Sequence, residues 1–184
     1  MTDAIRSRDE RGDLELIDAW RAGDERAATA LVARHAPAVA RFLVSCGEHR
    51  EVEELVQDTF VRAFGAIESF RADSTLRTWL FTIARRLLLD RRRADRRRRD
   101  RVQIAEGDAV TEVDALDGVV ADETEARLRQ AVEQLSPKQR EVFTLRVTEG
   151  LTYRDIADVV GSTEGAARVH YHNAVRSIKE FLDD

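Results

Sequence analysis

Apolar residues recur at spacings of three and four along most of this chain, and this period predicts amphipathic helices. The longest run begins at Ser74, whose hydroxyl is placed to cap a helix. Its apolar residues share one face and are Leu76, Trp79, Leu80, Ile83 and Leu87. Neither Gly nor Pro interrupts the stretch before Arg101. It therefore predicts a single helix over residues 75–101, roughly 40 Å long at about 1.5 Å per residue.

Shorter helices are predicted before this one. Half of residues 1–12 are charged, which favours a frayed, disordered terminus. Asp13 is then expected to cap a short helix that Gly23 ends, and Asp24 to cap a longer one. Pro37 is expected to break the longer helix or to start a new one, because proline lacks the amide hydrogen that a helix interior needs.

A further helix is predicted from residue 50 to residue 67, with two distinct faces. Its polar face carries Glu54, Asp58 and Arg62 at a spacing of four, joined by Glu51, Gln57 and Val61. Its apolar face carries Val52, Leu55, Val56, Phe60, Ala63, Phe64 and Ile67. By itself this is an ordinary amphipathic helix. Its carboxylates do not predict a metal site, because no His lies at a matching helical spacing among them.

The last third of the chain has the pattern of a helix-turn-helix. Ser136-Pro137 is a strong helix start, and residues 152–155 resemble a capping box that opens a short helix. Gly161 supplies a sharp turn, Ser162 caps again, and a longer helix runs to about Phe181. In such a motif the second helix lies in the major groove of DNA. The polar side of that helix carries Glu164, Arg168, His172, Arg176 and Lys179. A three-helix bundle with a solvated face is the simpler alternative.

Composition favours an all-α protein and limits its location. The chain has 184 residues, of which 43% are hydrophobic, so it is long enough to form a hydrophobic core. It has only two prolines, which favours helix. Its single cysteine, Cys46, forbids an internal disulfide and favours a reducing cytoplasm. A signal peptide is not expected, and no apolar stretch approaches the roughly 20 residues that span a bilayer. Membrane insertion is therefore not expected.

Charge is strongly segregated along the chain, although the net charge is only −5. Residues 85–101 contain ten Arg and three Asp, a local charge of +7, whereas residues 102–126 contain eight acidic residues and no Lys or Arg. We interpret residues 102–122 as a flexible acidic linker. It would join two small helical domains, residues 13–101 and 123–184.

The arginine run has two possible meanings. Such runs are often solvated helix ends or disordered basic tails. Here the run continues a helix that also carries Trp79 and Phe81 and follows Phe70. Cations neutralise phosphates, and aromatic rings offer faces on which unpaired bases stack. Together with the helix-turn-helix, this favours nucleic-acid binding.

Four consecutive segments resemble an extracytoplasmic-function (ECF) sigma factor, a small two-domain member of the bacterial sigma-70 family. They are EVEELVQDTFVRAF, FRADSTLRTWLFTIARRLLLDRRR, LSPKQREVFTLRVTEGLTYRDIADVVG and STEGAARVHYHNAVRSIKEFL. The resemblance covers residues 14–182 and is specific because the four motifs occur in order. It implies an alternative sigma factor that initiates transcription of a stress or envelope-response regulon, with sigma region 2 at 13–101 and region 4 at 123–184.

The resemblance also implies partners. These are bacterial core RNA polymerase, contacted at its β′ clamp and β flap, promoter DNA, and an anti-sigma factor that could hold the chain at the membrane. The residues that resemble the family's docking surface for the β′ clamp are Glu54, Gln57, Asp58 and Arg62. No cofactor and no metal is implied.

Two sets of DNA-binding residues follow from the same resemblance. Those for the −10 element are Phe70, Arg71, Ser74, Thr75, Arg77, Thr78, Trp79, Arg85, Arg86, Arg92 and Arg93. Those for the −35 element are Thr152, Tyr153, Ser162, Glu164, Gly165, Arg168, His172, Arg176 and Lys179.

Two other functions compete with this interpretation. A stand-alone helix-turn-helix regulator would not need the stacking residues or an acidic linker. A metal-dependent nucleic-acid hydrolase would need clustered carboxylates or His, and the sequence contains no such cluster, no Gly-rich phosphate loop and no Ser/His/Asp set. An enzyme is therefore not expected.

Overall fold

The computed structural model describes residues 2–103 and 123–183, with side chains at residues 12–101 and 126–183. Within these ranges the regular elements are helices, which confirms the all-α prediction. They are α1 Thr2–Arg21, α2 Glu25–Ser45, α3 Val52–Gly65, α4 Leu76–Gln103, α5 Glu123–Glu133, α6 Pro137–Val147, α7 Tyr153–Val160 and α8 Glu164–Asp183, with a 3-10 turn at Ile67–Ser69. No helix in the described ranges is long and apolar enough to cross a bilayer. The predicted acidic linker, residues 102–122, lies outside the described residues from residue 104 onward.

Helices α1 to α4 form the N-terminal domain around large apolar side chains. Phe42 of α2 and Phe81 of α4 are both 0% exposed, and their ring centroids lie 5.1 Å apart. Tilted aromatic pairs of this kind add to the stability that burial provides. The other side chains that are almost fully buried here are Ile17, Leu31, Val39, Leu43, Leu55, Leu80 and Leu88.

Helix α1 differs from its prediction. It begins at Thr2, whereas a frayed terminus over residues 1–12 and a helix start at Asp13 were expected. Asp13 lies inside the helix and is 3% exposed. Its carboxylate accepts a hydrogen bond from Arg34 at 2.7 Å and hydrogen-bonds His35 Nε2 at 2.9 Å. Asp13 therefore joins α1 to α2 and does not serve as a cap.

The predicted break at Pro37 is wrong, because α2 runs unbroken from Glu25 to Ser45 with Pro37 inside it. A proline in a helix interior costs about 3 kcal/mol, since it removes one backbone hydrogen bond and crowds the preceding turn. Apolar burial on both sides of it outweighs that cost at about 1.5–3 kcal/mol per large side chain. The residues concerned are Leu31, Ala38, Val39, Phe42 and Leu43, each 5% exposed or less.

Two predicted helix caps are displaced by one residue. At the start of α4, the Thr75 hydroxyl accepts from the Thr78 amide at 3.0 Å, so Thr75 and not Ser74 is the cap. At the start of α8, the Thr163 hydroxyl accepts from the Ala166 amide at 3.1 Å, in the role predicted for Ser162. In both cases two adjacent hydroxyl residues were able to cap the helix, and the second of the two is the cap in the structure.

Helices α5 to α8 form the C-terminal domain, and α7 and α8 are the predicted helix-turn-helix. The capping box of Thr152 and Asp155 is confirmed, as is the sharp turn at Gly161, which the structure shows to be left-handed with a φ of 63°. Ala167 and Ala174 of α8 are 0% exposed, so the recognition helix approaches its neighbours closely.

The two domains pack directly against each other. Helix α7 contacts α4, and α6 contacts α2. Apolar side chains of α6 and α7, among them Val142, Leu145 and Ile156, are 0% exposed and belong to the same apolar cluster as Leu80 and Phe81. The sequence left the relative position of the domains open, and the structure shows them closed on one another.

We expect Phe81→Ala to lower the free energy of unfolding by about 3–5 kcal/mol, because it leaves a cavity beside Phe42. Urea unfolding followed by circular dichroism measures this change. Val61→Ala is the control, since Val61 is 68% exposed and its loss should cost less than about 0.5 kcal/mol. A Phe81→Ala effect as small as that of the control would contradict the assigned core.

Candidate nucleic-acid interface

The loop between α3 and α4 and the first turn of α4 together present an aromatic pair. The rings of Phe70 and Trp79 lie 5.1 Å apart, and both residues are half-buried. Ala72 has a φ of 58°, a left-handed conformation that residues with a Cβ rarely adopt, so the loop is held in a defined shape. A cavity of about 280 Å³ opens here, lined by Asp13, Leu14, Phe70, residues 72–76 and Asp155. Aromatic rings beside such a cavity suit the stacking of unpaired bases.

The predicted −10 residues differ in accessibility. Arg71, Arg86, Arg92 and Arg93 are exposed, whereas Phe70, Ser74, Thr75, Arg77, Trp79 and Arg85 are half-buried. Thr78 is 1% exposed, and its hydroxyl lies 2.9 Å from that of Thr75. This placement fits a role in ordering the first turn of α4 more than a role in touching DNA.

Some arginines in the second half of α4 contact groups within the N-terminal domain. Arg91 contacts Glu51 at 2.8 Å and Glu54 at 2.9 Å. The hydrogen bond to Glu54 holds the pKa of the Arg91 guanidinium above its usual range. Arg92 donates to the Cys46 carbonyl at 2.6 Å. These contacts attach α4 to α3 and to the end of α2, so they fix the direction in which the cationic helix leaves the domain.

The predicted polymerase-binding residues Glu54, Gln57, Asp58 and Arg62 are all exposed on α3. Beside them α2 and α3 form an open groove of about 590 Å³. Sequence reasoning missed this groove, because it placed Val61 with the polar residues and expected a break at Pro37. Its apolar lining is Val32, Ala36, Pro37, Ala40, Val52, Val56, Phe60, Val61 and Phe64.

Helix α8 carries six of the predicted −35 residues along one exposed side. Those that are exposed are Glu164, Gly165, Arg168, His172, Arg176 and Lys179. At its start the Tyr153 ring lies near two guanidinium groups, at 4.8 Å from Arg146 and 5.1 Å from Arg168. Such cation–π contacts orient both side chains. The sequence did not indicate that Arg146 belongs to this surface, because Arg146 lies several residues before the helix-turn-helix and matches no local pattern.

Thr152 and Ser162 have different placements. Thr152 is exposed, and its hydroxyl donates to Asp155 at 2.6 Å within the capping box. Ser162 is half-buried in the turn before α8, and the neighbouring Thr163 takes the capping role.

Among the described side chains, ion pairs cross between the domains at two carboxylates, and the sequence indicated none of these pairs. The Glu149 carboxylate contacts Arg41 at 3.2 Å and also pairs with Arg77. The Glu141 carboxylate contacts Arg85 at 3.0 Å. Glu141 lies four residues before the buried Leu145 and so on the buried side of α6. A carboxylate on the apolar side of a helix is a sequence signal that could have indicated a buried ion pair.

Burial at this boundary perturbs two further groups. Desolvation lowers the pKa of the Lys138 amine below its usual range, and the nearby Arg85 charge adds to this effect. Desolvation raises the pKa of the Cys46 thiol to about 12, and the Glu141 carboxylate contributes to the rise. Cys46 is therefore a buried, neutral thiol close to the second domain.

Similarity to known proteins identifies the family to which this chain belongs. Residues 31–98 match the family model of sigma-70 region 2, and residues 125–178 match that of sigma-70 region 4. The RNA polymerase sigma-H factor of Pseudomonas aeruginosa is 30% identical in an alignment that covers 92% of this chain and 93% of that protein. The ECF RNA polymerase sigma factor BldN of Streptomyces coelicolor is 31% identical over 93% of this chain and 66% of its own length.

A solved structure agrees with this match. The sigma factor RpoE of Bartonella quintana, solved in complex with the anti-sigma factor NepR, superposes with a TM-score of 0.68. It is 28% identical, with 84% of this chain and 96% of that chain covered.

The chain belongs to the sigma-70 family of RNA polymerase sigma factors, in its ECF subfamily. It is an alternative sigma factor, which binds core RNA polymerase and directs it to promoters. A stand-alone helix-turn-helix regulator is excluded, because region 2 is matched as well as region 4. Among the described side chains, no group of three or more His, Cys, Asp or Glu is arranged to hold a metal ion.

We expect Cys46 to react with iodoacetamide at pH 8 at least about 100-fold more slowly in the native protein than in urea. An unperturbed thiol, with a pKa of about 8.5, is partly ionised at that pH, whereas a thiol with a pKa near 12 is almost wholly protonated. The native rate should rise steadily from pH 8 to pH 10, measured by mass spectrometry of the single cysteine. Equal rates in the two states would contradict the burial.

Proposed function

We propose that the N-terminal domain reads the −10 element of the promoter and the C-terminal domain reads the −35 element. The observation that carries this is that one chain has an aromatic loop beside a cationic helix and a separate helix-turn-helix with an exposed polar side. The first surface suits unpaired bases, and the second suits a major groove. Such a chain can hold duplex at one site and open it at the other.

At the −10 element, Phe70 and Trp79 are proposed to stack with the displaced strand. The exposed Arg71, Arg86 and Arg93 are proposed to contact its phosphates. Each phosphate that an arginine neutralises releases counterions, so binding should weaken steeply with salt.

At the −35 element, the exposed side of α8 is proposed to read base edges. Arg168 lies in the second turn of the helix and is oriented by Tyr153 and by an ion pair with Glu164 at 2.9 Å. Arginine bonded to a guanine edge is the commonest base-specific contact in a major groove. Arg176 and Lys179 lie further along and suit the phosphate backbone.

The exposed side chains Glu54, Gln57, Asp58 and Arg62 are proposed to dock on the β′ clamp of core polymerase, with the C-terminal domain near the β flap. The apolar groove beside them supports this proposal, because interfaces combine an apolar centre with a polar rim.

An anti-sigma factor is proposed as a further partner, acting in the cytoplasm and able to hold the chain at the membrane. The RpoE of Bartonella quintana was solved with such a factor, which supports this. The surfaces on α3 and α8 are both accessible to a protein that covers them. The regulon is proposed to respond to stress or to the state of the envelope.

Transcription in vitro with core polymerase on a promoter library tests the function. We expect this protein to select a subset of promoters that share two elements. Selection of DNA by the protein without polymerase, or no transcription with polymerase, would contradict the proposal.

We expect Asp58→Arg to weaken association with core polymerase at least about tenfold without altering the fold, since Asp58 is exposed and its charge faces solvent. Fluorescence anisotropy of the labelled protein measures binding, and circular dichroism checks the fold. Glu15→Arg is the matched control, because Glu15 is exposed on α1, away from α3. If the two reversals behaved alike, the assigned surface would be wrong.

We expect Arg168→Ala to remove discrimination at one position of the −35 element, worth about 1–3 kcal/mol. The measurement is transcription from a selected promoter and from its single-base −35 variants. Arg129→Ala, on the exposed side of α5, should leave that discrimination intact. Equal loss on all variants would instead mean that Arg168 contacts only phosphate.

A further inference from the structure

Two carboxylates of the C-terminal domain are buried where it meets the N-terminal domain. The Glu149 side chain is 0% exposed and that of Glu141 is 8% exposed. A charge so far removed from water is tolerated only when it is paired. Both are paired across the boundary, Glu149 with Arg41 and Arg77, and Glu141 with Arg85.

Two of the three arginines in these pairs lie on the surface that is proposed to bind DNA. Arg77 and Arg85 are two of the −10 residues on α4. Asp155 of α7 also lines the cavity that Phe70 and residues 72–76 form. In this arrangement the C-terminal domain therefore covers part of the −10 surface, with carboxylates against its cations.

Carboxylates and phosphates are equivalent partners for a guanidinium, because both offer anionic oxygens to its planar fork of donors. Buried ion pairs also add little net stability, since desolvation of the charges offsets their attraction. The boundary also contains apolar contacts, and its charged part can open when another anion replaces the carboxylate. An apolar contact in their place would have no equivalent substitute in DNA.

We propose that Arg41, Arg77 and Arg85 form one phosphate-binding surface for single-stranded DNA, and that Glu141 and Glu149 occupy it in the free chain. This rests on the proposed −10 function of α4. It adds Arg41, on α2, to the DNA interface. It also makes the closed chain self-inhibited, because the DNA backbone and the two carboxylates compete for the same arginines.

Glu149→Gln and Arg41→Ala test this, because they break the same ion pair from opposite sides. Both should open the chain, seen as a larger radius of gyration by small-angle X-ray scattering. Their effects on DNA binding should differ in sign. Glu149→Gln should bind a fluorescent 20-nucleotide oligo(dT) about tenfold more tightly than the parent, and Arg41→Ala should bind it no more tightly.

The double variant and a control complete the design. Glu149→Gln combined with Arg41→Ala should lose most of the gain of the single change. Asp158→Asn, an exposed acid on α7, removes the same charge without touching the boundary and should bind oligo(dT) like the parent. Circular dichroism establishes that each variant is folded. If Glu149→Gln is unfolded, Glu141→Gln tests the Arg85 pair in the same way.

Three results would overturn the proposal. If Glu149→Gln and Arg41→Ala strengthened oligo(dT) binding equally, Arg41 would contact only the carboxylate and not the DNA. Unchanged size and unchanged binding in Glu149→Gln would make the pairs simple packing. Tightening by Asp158→Asn as well would reduce the effect to net charge. Oligo(dT) binding is measured without polymerase, so it is independent of the transcription test of the proposed function. If the parent protein transcribes with polymerase but the variants do not show the expected changes in oligo(dT) binding and size, only this inference is refuted.

Discussion

The fold depends on the burial of the first half of α4. Leu76, Leu80, Phe81, Ala84 and Leu88 are each 5% exposed or less, and α4 packs against α2, α3 and α7. One helix therefore belongs to the cores of both domains before it continues as a cationic rod. Because its apolar side is fully used, its arginines can lie only on the remaining sides. Those sides form the proposed −10 DNA surface and the boundary with the C-terminal domain.

This placement explains why the domain boundary is electrostatically mixed. Apolar side chains such as Ile156 and Leu145 extend the core across it, and Glu141 and Glu149 neutralise arginines that α2 and α4 bring there. An apolar surface alone would bind the domains permanently, whereas a boundary of charges alone would be solvated. The combination gives a closed chain whose charged contacts have other possible partners. It also buries Cys46 near Glu141, which suppresses ionisation of its thiol.

The remaining surfaces are kept apart from that boundary. The polar residues of α3 flank an apolar groove, and the exposed side of α8 turns away from its buried Ala167 and Ala174. The proposed polymerase and −35 surfaces thus lie on helices, whereas the proposed −10 surface includes a loop shaped by Ala72. That division fits a sigma factor, which must hold polymerase and duplex firmly while it captures a flexible single strand.

The sequence by itself determined the helices, the helix-turn-helix and the family, because apolar period, glycine turns and capping residues are local signals. Local signals failed where packing decided. Burial of apolar side chains keeps α2 helical through Pro37. Asp13 contacts the buried His35 instead of capping a helix, and Thr75 caps α4 in place of the adjacent Ser74. The groove beside Val61 and the pairs of Glu141 and Glu149 with Arg85, Arg41 and Arg77 depend on residues far apart in the chain. Only the tertiary structure could bring them together, since no spacing in the sequence encodes which domain surface meets which.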